Sequence, residues 1–168
     1  MLETTRDDMG NVVTLEDGMD APQFSAEDSA GNVWNLNDIL AEGKRVVLYF
    51  YPKDSTPGCT KQACDFRDNM GALNAADVVV FGVSKDSANS HQKFTAKQDL
   101  NFPLLLDIEG ELLDKYGVWR EKKNYGRTYM GISRSTFVIE PNGTLSMAKY
   151  GVKATGHVAR VMGHLELE

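Results

Sequence analysis

The sequence predicts an α/β fold: a central mixed sheet flanked by helices, with a β-hairpin extension ahead of it. Two runs, Val46–Tyr51 and Val78–Val83, are continuously apolar and rich in β-branched and aromatic residues, the pattern of strands buried on both faces. A helical pattern separates them. Ala63, Phe66, Met70 and Leu73 recur at steps of three and four, one face of a helix. Further on, Pro141-Asn142-Gly143 is a turn signal between two short strands, so the sheet is mixed rather than wholly parallel. A chain of 168 residues suits one domain and can bury about 70% of its unfolded surface without disulfides or metal.

The elements follow in order. Residues 1–19 are polar and Asp-rich apart from Val12-Val13-Thr14-Leu15 and read as a loosely held polar leader; residues 20–168 form the single domain. Phe24–Asp28 and Val33–Leu36 flank Ser29-Ala30-Gly31-Asn32, a hairpin with suitable turn residues. Asn37 is placed to cap a short helix through Leu40. After the strand Val46–Tyr51, Pro52 ends pairing because it has no N–H to give a ladder. The loop Lys53–Gly58 leads into the helix described above. Ser87–Leu100 reads as an amphipathic helix with Phe94 on its apolar side, Leu104–Leu106 as a strand and Glu109–Tyr116 as a short helix. Trp119–Ser133 reads as a long polar loop with Trp119 as its packed anchor. Ser135–Ile139 and Leu145–Tyr150 are hairpin strands, and Gly156–Leu165 is a closing helix.

Charge excludes some functions. Lysine and arginine number 18 against 24 acidic residues, a net −6 with no basic run, which argues against nucleic acid. No stretch has the length of a transmembrane helix, so no membrane partner is expected. Met1–Asp8 has neither the basic nor the apolar region of a secretory signal, and the expected compartment is cytoplasmic. Two cysteines are too few for a disulfide scaffold.

The informative segment is PKDSTPGCTKQAC, from Pro52 to Cys64. It lies between a buried strand and a helix, so Cys59 falls in or near the first helical turn. Unpaired N–H groups and the positive end of the macrodipole stabilise a thiolate there. Pro57 and Gly58 shape the loop for a close approach of backbone to sulfur, and Thr56 supplies a hydroxyl. Taken alone, Thr56 is a helix cap. Cys64 lies five residues after Cys59. On an ideal helix, that spacing puts the Cα atoms roughly 8.7 Å apart and the side chains at about 140° to each other. A disulfide needs Cα atoms about 4.4–6.8 Å apart. The two cysteines can therefore bridge only if the first turn unwinds.

Pro52-Lys53-Asp54-Ser55-Thr56-Pro57-Gly58-Cys59-Thr60 resembles the peroxiredoxin signature: a proline, three residues, a threonine, two residues, then the peroxidatic cysteine. The second cysteine resembles the PrxQ, or bacterioferritin comigratory protein, subgroup. Tyr116–Trp119 and Tyr125–Ile132 also resemble that subgroup, Asp20–Phe24 resembles the family's entry into its hairpin and Arg134–Ile139 the strand that carries its active-site arginine, so the likeness spans about residues 20–165. The resemblance implies a thioredoxin-like fold and a thiol peroxidase acting on hydrogen peroxide and organic hydroperoxides. It assigns Cys59 as nucleophile and Cys64 as resolving thiol. Thr56 would hydrogen-bond thiolate and peroxide, Pro52 would shield the pocket, and Arg134 would set its guanidinium beside the sulfur. It implies thioredoxin as reductant, no cofactor and no metal, and a monomer with a dimer as the alternative.

The residue types suit that chemistry. A thiolate attacks one peroxide oxygen and becomes a sulfenic acid, and donors aimed at both oxygens stabilise the transition state. The rival readings are weaker. The histidines His91, His157 and His164 read as surface or capping residues, and none pairs with Cys59 in the sequence, which disfavours a Cys–His hydrolase. There is no CxxC for a disulfide reductase and no zinc-ligand spacing. Tyr49 and Tyr51 read as core or pocket-wall residues. The alternative from another class is a peroxide-sensing thiol switch, in which oxidation exposes a partner surface.

Overall fold

Strand β3 (Arg45–Phe50) organises the molecule. In the computed structural model, which describes residues 13–167, it is the middle strand of a five-stranded sheet ordered β5-β4-β3-β8-β9. Its neighbours are β4 (Val78–Ser84), parallel, and β8 (Ser135–Ile139), antiparallel. Strand β5 (Leu104–Leu106) continues the parallel side, and β9 (Leu145–Lys149) the antiparallel side. The sheet is mixed, as the two kinds of connecting segment require.

Alternation along β3 splits the core in two. Val46, Leu48 and Phe50 face a layer built from Leu36, Ile39 and Leu40 of α1 (Leu36–Ala41) and Leu112 and Leu113 of α4 (Glu111–Lys115). Val47 and Tyr49 face α2 (Pro57–Ala75), α3 (Ala88–Gln98) and α5 (His157–His164), through Phe66, Phe94 and Val161 among others. Tyr49 stacks on Phe66 with ring centroids 4.7 Å apart. The hairpin of β1 (Ser25–Glu27) and β2 (Val33–Asn35) lies over the first layer, with Trp34 edge-on to Phe81.

Three local expectations change. Asn35, not Asn37, caps α1 and accepts from the Asp38 N–H; the helix begins earlier because Leu36 is a fully buried first residue. The segment 119–133 is not a loop: β6 (Trp119–Asn124) and β7 (Arg127–Ile132) form a hairpin. Its turn has positive φ at both Tyr125 (52°) and Gly126 (75°), the two-residue turn whose twist suits paired strands. His91 and His157 are buried, not surface residues. Of the polar leader, residues 1–12 lie outside the described residues. Within 13–19, Leu15 is buried and its N–H donates to the Tyr150 hydroxyl, while the Gly18 N–H donates to the Leu145 carbonyl. No helix among the described residues is long and apolar enough to cross a membrane.

Two tests bear on this packing. A Cβ at Gly82 in β4 would lie 2.8 Å from Leu104 Cδ2 and 3.0 Å from the Tyr49 ring. Gly82→Ala should therefore destabilise the fold by about 1–3 kcal/mol, read as a lower urea midpoint; an unchanged midpoint would contradict this packing. His157 meets the Thr136 hydroxyl at 2.8 Å, and burial, then the charges of Arg160 and Arg134, push its ring down to about 4. The unfolded ring titrates near 6.5, so between these values the unfolded chain binds the proton better. The stabilisation from neutral His157 is complete above the unfolded value and is lost as pH falls towards 4. In His157→Gln, the urea midpoint should fall less over that window than in the wild type. Equal slopes would show that His157 does not carry this dependence.

Candidate active site

The site lies at the carboxyl end of β3. Tyr51 and Pro52 leave the strand, the loop Lys53–Thr56 turns, and Pro57 begins α2. Proline suits that first position, since its missing N–H would have no helical partner. Cys59 is the third helical residue and is 2% exposed. Its sulfur therefore sits at the positive end of a 19-residue helix.

Arg134 reaches the same point from the other side of β3. Because β8 runs antiparallel and Ser135 pairs with Phe50, the residue before Ser135 emerges beside the end of β3. The Arg134 carbonyl accepts from the Val152 N–H at 2.9 Å, which fixes its backbone. Nη2 donates to Cys59 Sγ at 3.4 Å, and Nη1 donates to Gln62 Oε1 at 2.7 Å. Gln62 is fully buried, one turn beyond Cys59. Its Nε2 is without a partner among the described residues, as is the Tyr49 hydroxyl. Sequence reasoning missed Gln62, although a glutamine on the face of α2 that carries Cys59 was the available signal. Gly58 leaves room for the guanidinium: a Cβ there would lie 3.2 Å from Arg134 Nη2.

Thr56 occupies the cap position of α2, but its side chain makes no capping bond. Its hydroxyl instead donates to the Lys53 carbonyl at 2.8 Å, and its own carbonyl accepts from the Thr60 N–H. The Thr56 proton is thus committed within the loop, and the oxygen is left as an acceptor. Pro52 is half-buried at the mouth of the loop, next to the buried Tyr51. The structure brings Cys59 and Arg134 into contact. Cys64 is also a free thiol, half-buried, with its Sγ 3.5 Å from Gln98 Oε1 of α3. It lies on the same helix as Cys59 but is turned towards α3.

Behind the loop lies a buried polar cluster. The Asp54 carboxylate accepts from the Tyr51 hydroxyl (2.6 Å) and the Ser90 hydroxyl (2.8 Å), and meets His91 Nδ1 at 2.7 Å. Burial alone would raise the Asp54 carboxyl. The bonds from His91 and Tyr51 outweigh it and hold the group below its ordinary range. The other ring nitrogen of His91 meets the Leu105 carbonyl at 3.0 Å.

The AhpC/TSA family profile matches residues 18–148. The chain is 46% identical over 153 residues to a putative peroxiredoxin bcp of Coxiella burnetii, covering 91% of this chain and all of that one. It is also 46% identical to peroxiredoxin Bcp of Bacillus subtilis over 154 residues, covering 92% and 97% of the two chains. Among solved structures, a Xylella fastidiosa PrxQ mutant superposes with a TM-score of 0.83 at 33% identity, over 94% of this chain and 98% of that one. The bacterioferritin comigratory protein of Xanthomonas campestris, studied for alkyl peroxide reduction, gives a TM-score of 0.79 at 38% identity, over 85% and 90%. With the family profile, the relatives along nearly the whole chain and the thioredoxin-like fold in agreement, this chain belongs to the AhpC/TSA family, among the Bcp or PrxQ peroxiredoxins.

Proposed function

We propose that the chain is a thiol-dependent peroxidase in which Cys59 is the nucleophile and Cys64 the resolving thiol. The observation that carries this reading is the Arg134 guanidinium 3.4 Å from a buried sulfur at a helix N-terminus. The guanidinium and the helix N-terminus set positive charge on two sides of the sulfur, where negative charge is carried during attack on a peroxide.

The Cys59 thiolate attacks one oxygen of the peroxide, the O–O bond breaks, and the other oxygen leaves as water or an alcohol after taking a proton. Sulfur is oxidised to the sulfenic acid and the peroxide is reduced. Arg134 stabilises charge moving along the S–O–O line. Thr56, its proton given to Lys53, accepts from the peroxide O–H and so orients the substrate. Pro52 shields the thiolate from water. The Cys64 thiolate then attacks the sulfenic sulfur, and the S–O bond breaks as water leaves. A dithiol of the thioredoxin class reduces the resulting disulfide. The substrates are hydrogen peroxide and organic hydroperoxides, the working unit is a monomer, and the expected compartment is the cytoplasm.

Three outcomes test this scheme. Cys59→Ser should abolish peroxide turnover, measured with thioredoxin, thioredoxin reductase and NADPH; full activity would remove Cys59 from the role. Cys64→Ser should consume about one peroxide per chain and then stall without a small thiol, and steady thioredoxin-driven cycling in it would show another resolving route. Arg134→Gln should slow the attack step roughly 10²- to 10³-fold, the usual cost of deleting one transition-state donor. A stopped-flow rate near that of the wild type would place charge stabilisation elsewhere.

A further inference from the structure

Bridging Cys59 and Cys64 requires the first turn of α2 to open, because the helical separation is too long for a disulfide. The loop before that turn is tied down unusually firmly. Asp54, five residues ahead of Cys59, is 5% exposed. Three groups on two elements grip its carboxylate: Tyr51 at the end of β3, and Ser90 and His91 in α3. Its backbone N–H donates to Asp86 Oδ2 at 2.8 Å, and that carboxylate oxygen is itself held by the Ser84 hydroxyl at 2.6 Å. Both ring nitrogens of His91 face acceptors, the Asp54 carboxylate and the Leu105 carbonyl. The ring thereby ties the Asp54 carboxylate to the backbone of β5, in a contact buried on both sides. The next residue, Ser55, sits at φ 65°, a left-handed conformation that residues with a side chain adopt only when held there.

We propose that Asp54 and His91 are positioning residues that hold the peroxide-reactive form of the Lys53–Gly58 loop and set how fast Cys64 can reach the oxidised Cys59. This rests on the peroxidase reading above. The pair touches neither cysteine; it acts through the loop. A stronger grip keeps the sulfenic acid in its pocket for longer, where a second peroxide can carry it to sulfinic acid. A weaker grip releases the turn sooner and favours the disulfide.

The test is stopped-flow tryptophan fluorescence of the reduced full chain mixed with hydrogen peroxide, with Trp34 and Trp119 as reporters. It resolves a phase linear in peroxide, the attack, from a phase independent of peroxide, the resolution. Mass spectrometry then gives the sulfinic fraction at Cys59. Ser90→Ala removes one donor from a half-buried position and leaves the Asp54–His91 contact in place; His91→Gln removes that contact. The resolution phase should quicken roughly threefold in the first and on the order of tenfold in the second, from the usual net worth of an intramolecular hydrogen bond. The sulfinic fraction should fall in step, and the attack phase should change much less. A resolution phase that is unchanged or slower in Ser90→Ala overturns the proposal. So does a parallel loss of both phases in both variants, which a merely structural role would give. A wild-type chain without any fast peroxide-dependent phase overturns the peroxidase reading, and the proposal with it.

Discussion

Asp54 carries a carboxylate with 2% of its side chain exposed, between the aromatic layer over β3 and the start of α3. An unpaired charge in such a place costs on the order of several kcal/mol, so the chain around it is constrained to bring donors. Tyr51 supplies one from just past the end of β3, and Ser90 and His91 supply two from the first turn of α3. His91 in turn reaches the Leu105 carbonyl in β5. One buried charge thereby fixes the position of α3 against the end of β3 and the path of the loop that delivers Cys59. The depressed titration of Asp54 has the same origin: burial works against the charge, and the donors more than offset it.

The reactive end of the molecule is assembled by topology. A parallel neighbour on one side of β3 and an antiparallel neighbour on the other bring two different chain directions to the same strand end. From β3 itself comes the loop into α2, with the helix N-terminus and Cys59. From β8 comes Arg134, one residue before the pairing with Phe50 begins. Gln62 then couples the two, since it rides on α2 and accepts from the Arg134 guanidinium. A guanidinium has a rigid planar fork, so holding Nη1 on Gln62 aims Nη2 at the sulfur. Removing the Cβ at residue 58 makes the space in which that fork lies.

Much of this was legible in the sequence where one physical signal dominated. Continuous apolar runs located β3 and β4, and three- and four-residue spacing located α2, because burial on both faces of a strand or one face of a helix leaves a periodic mark. Cys59, Cys64 and Arg134 were named from the motif and its resemblance, and the contact between Cys59 and Arg134 follows from strand pairing that no local pattern reveals. The hairpin β6–β7 was missed for a clear reason. Five of its twelve strand residues are charged, so hydrophobic alternation is weak, and Tyr125 supplies a positive φ that is ordinarily the mark of Asn, Asp or Gly. His91 was read as a surface residue because sequence spacing gives no sign of a partner 37 positions away. Thr56 looked like a cap, yet its hydroxyl turns back to Lys53, a choice made by the loop and not by the residue type.

That choice has a consequence for the first turn of α2. A helix usually satisfies its leading N–H groups with a side-chain cap and draws acidic residues to its positive end. Here the cap side chain is turned away and no acidic residue stands in the first turn. The N–H groups and the dipole are then left for the sulfur, with no carboxylate in the first turn to compete for them. The same omissions remove stabilisation, typically about 1 kcal/mol for a cap, from the one turn that must open for Cys59 to meet Cys64. A well-capped turn would both weaken the field at the Cys59 sulfur and resist unwinding. The sequence instead leaves the turn itself weak and puts the restraint outside it, in the buried charge at Asp54. In the proposed scheme, reactivity and release therefore depend on different residues, and each can change without the other.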